Sequence, residues 1–213
     1  MYGTYFFFIK NNPNNCCPYC GRQYVNHFYT SNGTIYHTAQ VDHFLPKSIY
    51  TFLSISIRNM IPICGFCNNK KSDYDSFINM SMVNPSLIKE NDIIFKLVSK
   101  KSKREFISVK DALDNIADLQ IDLSSIKYQK EIKKTNEKIY LKAIYQTHID
   151  EIIELLKKLE KCNDYYLDNL INQGLFTSKE EIKSFMFGDI LYKNNASSPL
   201  LKLKRDVLMR FMN

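Results

Sequence analysis

Short apolar runs separated by polar turns characterise the first part of the chain. Four such runs, rich in β-branched and aromatic residues, occupy 5–9, 23–29, 34–41 and 61–63. Runs of this kind predict strands, and Asn32-Gly33 between the second and third runs predicts a hairpin turn. A helix is predicted to follow over about 67–77. The expected order is therefore a hairpin, a loop, a short strand and a helix.

The remainder of the chain has a mainly helical pattern. Residues 93–98 and 105–109 first resemble a hairpin, joined by the basic turn 99–104. From residue 126 onward the apolar residues recur at three- and four-residue steps, which indicates helices. One clear apolar stripe has five members: Ile149, Ile152, Ile153, Leu156 and Leu159. We therefore expect an α+β protein with a mainly helical C-terminal domain.

Helix boundaries are also visible in the second half. Thr147 with Asp150, and Ser178 with Glu181, have the spacing of capping boxes, which predicts helix starts and a break near 147. Gly174 predicts the end of a helix over about 164–173. The Ser198-Pro199 pair predicts the start of a final helix toward residue 211.

Composition adds a few limits to this picture. The 213 residues are 45% hydrophobic, which suits one ordinary domain or a small domain with a helical appendage. No apolar run approaches the roughly 20 residues of a membrane span, and no basic segment precedes the apolar run at 5–9. A reducing cytoplasm is the expected compartment. The net charge of +7 is compatible with a polyanionic partner without requiring one.

Four of the six cysteines form two Cys-x-x-Cys pairs: Cys17, Cys20, Cys64 and Cys67. This grouping suits tetrahedral zinc better than three disulfides. A shell of four thiolates leaves no open position, so the predicted zinc is structural and not catalytic. Cys16 competes with its neighbour as a ligand, although the two-residue gap to Cys20 favours Cys17. Cys162 is expected to be a free thiol.

Chemistry is predicted between and after the two cysteine pairs. Asp42 and His43 lie at the end of a predicted strand, and Asn68 directly follows the last cysteine. Carboxylate and carboxamide oxygens suit a hard divalent cation, and phosphodiester hydrolysis needs both an activated water and charge relief on the leaving oxygen. An imidazole is well suited to take a proton at neutral pH. The predicted order of elements is that of a treble-clef zinc module.

The segment from Cys17 to about Asp73 resembles an HNH endonuclease of the zinc-stapled ββα-metal type. The resemblance rests on residues 42–48 (DHFLPKS), the following Asn59, and residues 64–71 (CGFCNNKK). It implies that Asp42 and Asn68 bind a catalytic metal, that His43 is the general base, and that Asn59 fixes His43. Asn68 replaces the histidine often found at this position, and its oxygen favours Mg²⁺ or Mn²⁺.

The sequence of residues 38–48 (TAQVDHFLPKS) is similar to that of the HNH subunits of bacterial anti-phage systems, notably the Septu PtuB group and its retron-associated relatives. In that group the nuclease has an ABC-type ATPase partner, PtuA. The resemblance therefore implies nucleic acid, DNA first, as substrate and an ATPase subunit as partner. We expect a zinc-stapled nuclease module over 1–84, and a hairpin with a helical partner-docking domain over 85–213.

Several positions leave two interpretations open. Lys47 and Lys71 either contact substrate phosphate or are solvated lysines near helix ends. The basic turn 99–104 is either a DNA contact or a solvated turn. The Ile149–Leu159 stripe is either core or a docking face. The whole module is either a nuclease or a non-catalytic zinc module that binds nucleic acid or a partner protein.

Overall fold

The computed structural model describes residues 15–79, 81–193 and 197–212. The predicted strand at 5–9 lies outside these residues. The described part combines helices with small two-stranded sheets, so the predicted α+β class is confirmed.

Two antiparallel hairpin-like pairs form the first part of the fold. Strand β1 (His27–Tyr29) pairs with β2 (Ile35–His37), and the turn between them uses Gly33 at φ +80°. Strand β3 (Gln40–His43) pairs with β4 (Met60–Ile63), with Asp42 opposite Ile61. Asp42 and His43 are therefore the last two residues of a strand, as the sequence predicts.

The predicted strand at 34–41 is in fact divided into β2 and β3. The division lies at Thr38, whose backbone N–H donates to the Asn26 carbonyl at 2.9 Å and whose hydroxyl donates to the Tyr24 carbonyl at 3.0 Å. These bonds hold Thr38 against the preceding strand segment. The chain is therefore free to pair with a different partner, β4, from residue 40 onward.

Helix α1 (Gly65–Lys71) is shorter than the predicted 67–77. Cys64 is its N-terminal cap, and its C-terminal cap is Ser72, which has a positive φ of 50°. Beyond this point the Asp75 carboxylate accepts hydrogen bonds from the backbone N–H groups of Phe77 at 2.8 Å and Ile78 at 3.3 Å. A side chain that captures these donors stabilises a turn in competition with the helix.

Strand β5 (Ile94–Ser99) pairs with β6 (Leu119–Ser124), and not chiefly with the predicted strand at 105–109. The tight turn of the predicted hairpin does form, because the Ser99 N–H donates to the Arg104 carbonyl at 2.8 Å. After a single bridge the chain leaves the sheet and forms helix α2 (Val109–Asp114), which the Ser108 side chain caps. The missed sequence signal was the alternation of apolar and polar residues along β6 (LQIDLS).

The remaining helices are α3 (Gln129–Ile139), α4 (Leu141–Gln146), α5 (Ile149–Lys161), α6 (Asp164–Asn172), α7 (Lys179–Tyr192) and α8 (Leu201–Met212). Gly174 adopts φ +71° just after α6, and the Ser178 side chain accepts from the Glu181 N–H at the start of α7, so both predicted signals are confirmed. The stripe of α5 places Ile152 and Leu156 in a buried core.

One predicted capping box is wrong. The break near residue 147 exists, but the Thr147 hydroxyl donates backward to the Ile144 carbonyl at 2.8 Å. His148 occupies the cap position of α5, and its ring nitrogen Nδ1 lies 2.9 Å from the Glu151 carboxylate. The side chain of His148 therefore supports the first turn in the place predicted for Thr147 and Asp150.

The chain divides into two compact units. The first takes its described residues from Met1–Ile93, Ser124–Leu141 and Asn195–Leu201, and the second from Ile94–Leu123, Lys142–Asn194 and Lys202–Asn213. In the first unit α1 packs against α3, and in the second α2 packs against α5. The division into domains at 1–84 and 85–213 stays a prediction. The candidate site belongs to the first unit.

Candidate active site

The four paired cysteines converge on one buried point. The sulfurs of Cys17, Cys20, Cys64 and Cys67 all lie within 4.8 Å of one another. The Cys20 and Cys64 sulfurs are 3.8 Å apart. Sulfurs bound to one zinc at about 2.3 Å in a tetrahedron lie about 3.8 Å apart, so the donor set fits a structural zinc ion. Cys16 is buried outside this group, and burial raises its pKa to about 11.

Local backbone bonds shape the two cysteine turns. The Gly21 N–H donates to the Cys17 carbonyl at 2.7 Å, with Gly21 at φ +57°. The Cys64 sulfur accepts from the Cys67 N–H at 3.5 Å and so caps α1. Hydrogen bonding with the Cys17 thiol is the largest cause that lowers the pKa of Cys64 and raises that of Cys67. A zinc ion held by the four cysteines would remove this competition, because it favours the thiolate form of each sulfur.

Asp42 is enclosed at the end of β3, with only 3% of its surface exposed. Its Oδ1 accepts from the Lys71 ammonium at 2.9 Å, and its Oδ2 accepts from the Tyr19 hydroxyl at 3.4 Å. Burial raises the pKa of Asp42 above its ordinary value, although the Lys71 charge opposes this effect. Burial and the Asp42 charge raise the pKa of Tyr19, so its hydroxyl remains a donor. Tyr19 lies inside the first cysteine turn and thereby connects it to Asp42.

His43 is held in one tautomer by a backbone carbonyl. Its ring nitrogen Nε2 lies 2.9 Å from the Ser54 carbonyl oxygen. A carbonyl oxygen only accepts, so Nε2 carries the hydrogen, and the neutral ring has its lone pair on Nδ1. Within the described residues, Nδ1 has no hydrogen-bond partner. This nitrogen is therefore the one that can take a proton from water.

Asn59 clamps the loop that carries the Ser54 carbonyl. Its side-chain oxygen accepts from the Leu45 N–H at 2.8 Å, and its side-chain nitrogen donates to the Leu45 carbonyl at 2.9 Å. A weaker bond reaches the Leu53 carbonyl at 3.4 Å. Asn59 is 6% exposed, and loss of its side chain leaves the N–H and carbonyl of the half-buried Leu45 without these partners. Asn59 therefore acts on the imidazole indirectly: it bonds to Leu53, and the next residue, Ser54, bonds to His43.

Gln40 orients the carboxamide of Asn68. The Asn68 side-chain nitrogen donates to the Gln40 side-chain oxygen at 2.7 Å. Since this bond uses the nitrogen side of the amide, the oxygen side of Asn68 remains available as an acceptor or metal ligand. Asn68 is the middle residue of α1, and Gln40 begins β3, so one bond links the two elements that carry the predicted metal ligands.

One cavity of about 410 Å³ brings these groups together. Nine residues line it: Val41, Asp42, His43, Pro46, Lys47, Ser48, Asn68, Ser72 and Asp73. The adjacent Asp42 and His43 both reach it, because the strand ends there. Asp42 and Asn68 offer oxygen donors to a common space, which fits a hard cation such as Mg²⁺ or Mn²⁺. Asp73 adds an exposed carboxylate that sequence reasoning missed and for which no motif signal exists.

The two lysines predicted at phosphate have different surroundings. Lys47 is exposed and lines the cavity. Lys71 is enclosed, with 0% of its side chain exposed, and it donates to Asp42 and to the His43 carbonyl, each at 2.9 Å. Lys71 therefore holds the strand end to the helix in this structure, so of these two lysines we retain Lys47 as the proposed phosphate contact. Sequence reasoning also missed Tyr19 and Gln40.

Comparison with known proteins defines the class of this module. Residues 17–74, about a quarter of the chain, match the family model of the HNH endonuclease, so this segment is an HNH endonuclease domain. Over 51 residues the chain is 43% identical to Septu protein PtuB of Bacillus thuringiensis. That alignment covers 22% of this chain and 20% of the relative's length. The HNH resemblance is thereby confirmed.

No solved structure matches the chain. Among the described residues, no helix combines the length and apolar character that crossing a membrane requires.

Proposed function

We propose that this chain is a metal-dependent endonuclease that hydrolyses phosphodiester bonds of nucleic acid, with DNA as the first substrate to test. The HNH domain supports nuclease activity in general. The observation that carries the specific proposal is the His43 ring, whose Nε2 is bonded to Ser54 and whose Nδ1 is left as a base beside Asp42 and Asn68.

The chain's own residues then have distinct tasks. Nδ1 of His43 takes the proton from the attacking water, and the Ser54 carbonyl stabilises the imidazolium through Nε2–H. Asn59 keeps the loop that carries this carbonyl in place. Lys47 contacts the substrate phosphate. A divalent cation held by Asp42 and Asn68 would supply charge stabilisation at the phosphate and at the leaving 3′ oxygen, so the product carries a 5′ phosphate.

The biological setting is part of the same proposal. The similarity to Septu protein PtuB supports a role as the nuclease effector of an anti-phage system. In that role the protein works in the cytoplasm with an ATPase subunit of the PtuA kind. The second unit, which lies entirely outside the matched segment, is the proposed docking surface for this partner.

The decisive experiment is a plasmid-nicking assay with His43→Ala. The zinc-loaded protein is incubated with supercoiled plasmid and Mg²⁺ or Mn²⁺, alone and with a co-expressed ATPase subunit from the same bacterium. We expect His43→Ala to lose about 100-fold or more of the nicking rate, the usual range for a missing general base.

His148→Ala is the matched control, since it makes the same substitution in the other unit, where His148 contacts Glu151. It should nick at the wild-type rate. Equal nicking by His43→Ala and wild type would refute the nuclease proposal. A wild-type protein that binds DNA and fails to nick it in both arms would support the non-catalytic zinc module instead.

A further inference from the structure

We propose that Lys134 and Lys138 of α3, together with Lys70 of α1, bind the phosphate backbone of the nucleic acid that enters the cavity. This inference rests on the proposed function and names the surface that holds its substrate. Lys134 and Lys138 lie outside the segment that matches the HNH family model, so the family match does not assign them a role.

The lysines are arranged around aromatic rings. The Lys138 ammonium lies 4.4 Å from the centre of the Tyr74 ring, and the Lys134 ammonium lies 5.5 Å from it. Lys70 lies 5.5 Å from the centre of the Tyr140 ring. A ring face attracts an ammonium group without a carboxylate to neutralise it. The positive charges are therefore positioned and still able to attract an anion.

The surface lies beside the cavity. Ser72 and Asp73 line the cavity, and Tyr74 is the next residue along the chain. Helix α3 packs against α1. It is anchored by the Thr135 hydroxyl, which accepts from the Val83 N–H at 2.8 Å in a buried position. A backbone phosphate near Asn68 therefore has a neighbouring cationic surface for the adjoining nucleotides.

Spacing on α3 explains why the charges share one flank. Lys130, Lys134 and Lys138 follow at four-residue steps, and residues four apart lie on the same side of a helix. The opposite side is buried through Ile132 and Ile139. This amphipathic arrangement turns the lysine row outward from the core.

Acidic residues compensate the row only in part. The helix carries two glutamates, and Glu137 lies 3.4 Å from the Lys134 ammonium. Such a partly exposed pair contributes little and exchanges readily for a stronger anion. Lys138 has no carboxylate partner within 4.0 Å among the described residues. A polyanion with regularly spaced charges fits this row, and continuity with the cavity favours nucleic acid over an acidic protein.

The test measures binding in a protein that cannot cleave. A fluorescein-labelled DNA duplex is titrated with His43→Ala protein, and anisotropy gives the association constant between about 50 and 200 mM salt. The variant adds Lys134→Gln and Lys138→Gln. The matched control adds Lys157→Gln and Lys158→Gln, which remove the same charge from exposed positions of α5 in the other unit.

Each lost phosphate contact should lower the slope of log K against log salt by about 0.9. We expect a slope shallower by about 1.8 for the α3 variant, by about 0.9 for Lys70→Gln, and no change for the control. Circular dichroism and zinc content confirm that each variant is folded. Lys70 is exposed, so its variant remains informative should the α3 pair reduce folding.

Two results would overturn the inference. One is an α3 variant whose slope equals that of the control. The other is a protein with intact lysines that binds the duplex with an affinity independent of salt, and that binds an acidic protein partner in stoichiometric amounts. Nicking is measured separately in proteins that keep His43, with the plasmid assay described above. Absence of nicking together with lysine-dependent DNA binding would refute the proposed function alone. Nicking that depends on His43, together with unchanged slopes of log K against log salt, would refute this inference alone.

Discussion

Replacement of Lys71 by methionine should destabilise the first unit strongly. The Lys71–Asp42 ion pair is almost completely enclosed, with side-chain exposures of 0% and 3%. Lys71 also donates to the His43 carbonyl at 2.9 Å. Methionine keeps most of the aliphatic stem and removes only the ammonium group, so the effect reports on charge and hydrogen bonding more than on a cavity.

The expected loss is about 3–5 kcal/mol of unfolding free energy, because the substitution leaves the Asp42 carboxylate buried without a counter-charge. Lys134→Met is the control, because its ion pair lies in the same unit as the four cysteines. The pair with Glu137 has side-chain exposures of 25% and 49%, so its loss should cost about 1 kcal/mol or less. The comparison separates a buried pair from an exposed one with the same chemical change.

The pH dependence of the defect has a defined sign. Burial already raises the pKa of Asp42, and removal of Lys71 takes away the charge that opposes this rise. A carboxyl whose pKa is higher in the folded than in the unfolded state binds more protons when folded, so stability increases as pH falls through that pKa. Relative to wild type, the Lys71→Met deficit should therefore shrink as the pH is lowered from neutrality.

Urea denaturation followed by zinc release measures the effect in the correct unit, because the four cysteines lie there. The chain has no tryptophan, so a chromophoric zinc chelator is a better reporter than intrinsic fluorescence. Midpoints convert to free energy through the slope of the transition. The double variant Asp42→Asn/Lys71→Met should recover much of the loss, since it removes both charges.

Two outcomes would refute this reasoning about Lys71. A free energy of unfolding for Lys71→Met within about 1 kcal/mol of that for Lys134→Met would mean that the Lys71–Asp42 pair is not enclosed in solution. If the double variant loses as much unfolding free energy as the single variants Asp42→Asn and Lys71→Met lose together, the two groups do not interact.

Three further predictions concern the same module. Gln40→Leu should raise the Mg²⁺ concentration for half-maximal nicking about 10-fold, and Gln40→Glu should not, because only the latter still accepts from Asn68; equal Mg²⁺ curves would contradict the orienting role. Asn59→Ala should lose about 1–3 kcal/mol of unfolding free energy in the zinc-release assay, because the half-buried Leu45 backbone loses two partners; an unchanged midpoint would contradict the clamping role of Asn59. Zinc extraction should abolish nicking in a way that added Zn²⁺ reverses and Mg²⁺ alone does not; activity that survives extraction would show that the thiolate site is dispensable.

Sequence reasoning was most successful where spacing along the chain determines the geometry. Two Cys-x-x-Cys pairs predicted the converging sulfurs, and the Asp42-His43 pair was placed correctly at a strand end. The same reasoning overextended α1 to residue 77, because the turn there depends on the Asp75 side chain and on Ser72 at positive φ. It also missed β6, whose partner is decided by the fold and not by its own pattern alone.

The sequence by itself determined the donor types of this protein: sulfur for the predicted zinc site, and carboxylate, carboxamide and imidazole for the proposed chemistry. Only the tertiary structure decided how each donor is held. Lys71 and Tyr19 reach Asp42 across 29 and 23 positions of the chain, and Gln40 reaches Asn68 across 28. Residue types restrict which bonds are possible, whereas distances between remote segments depend on how strand, loop and helix pack together.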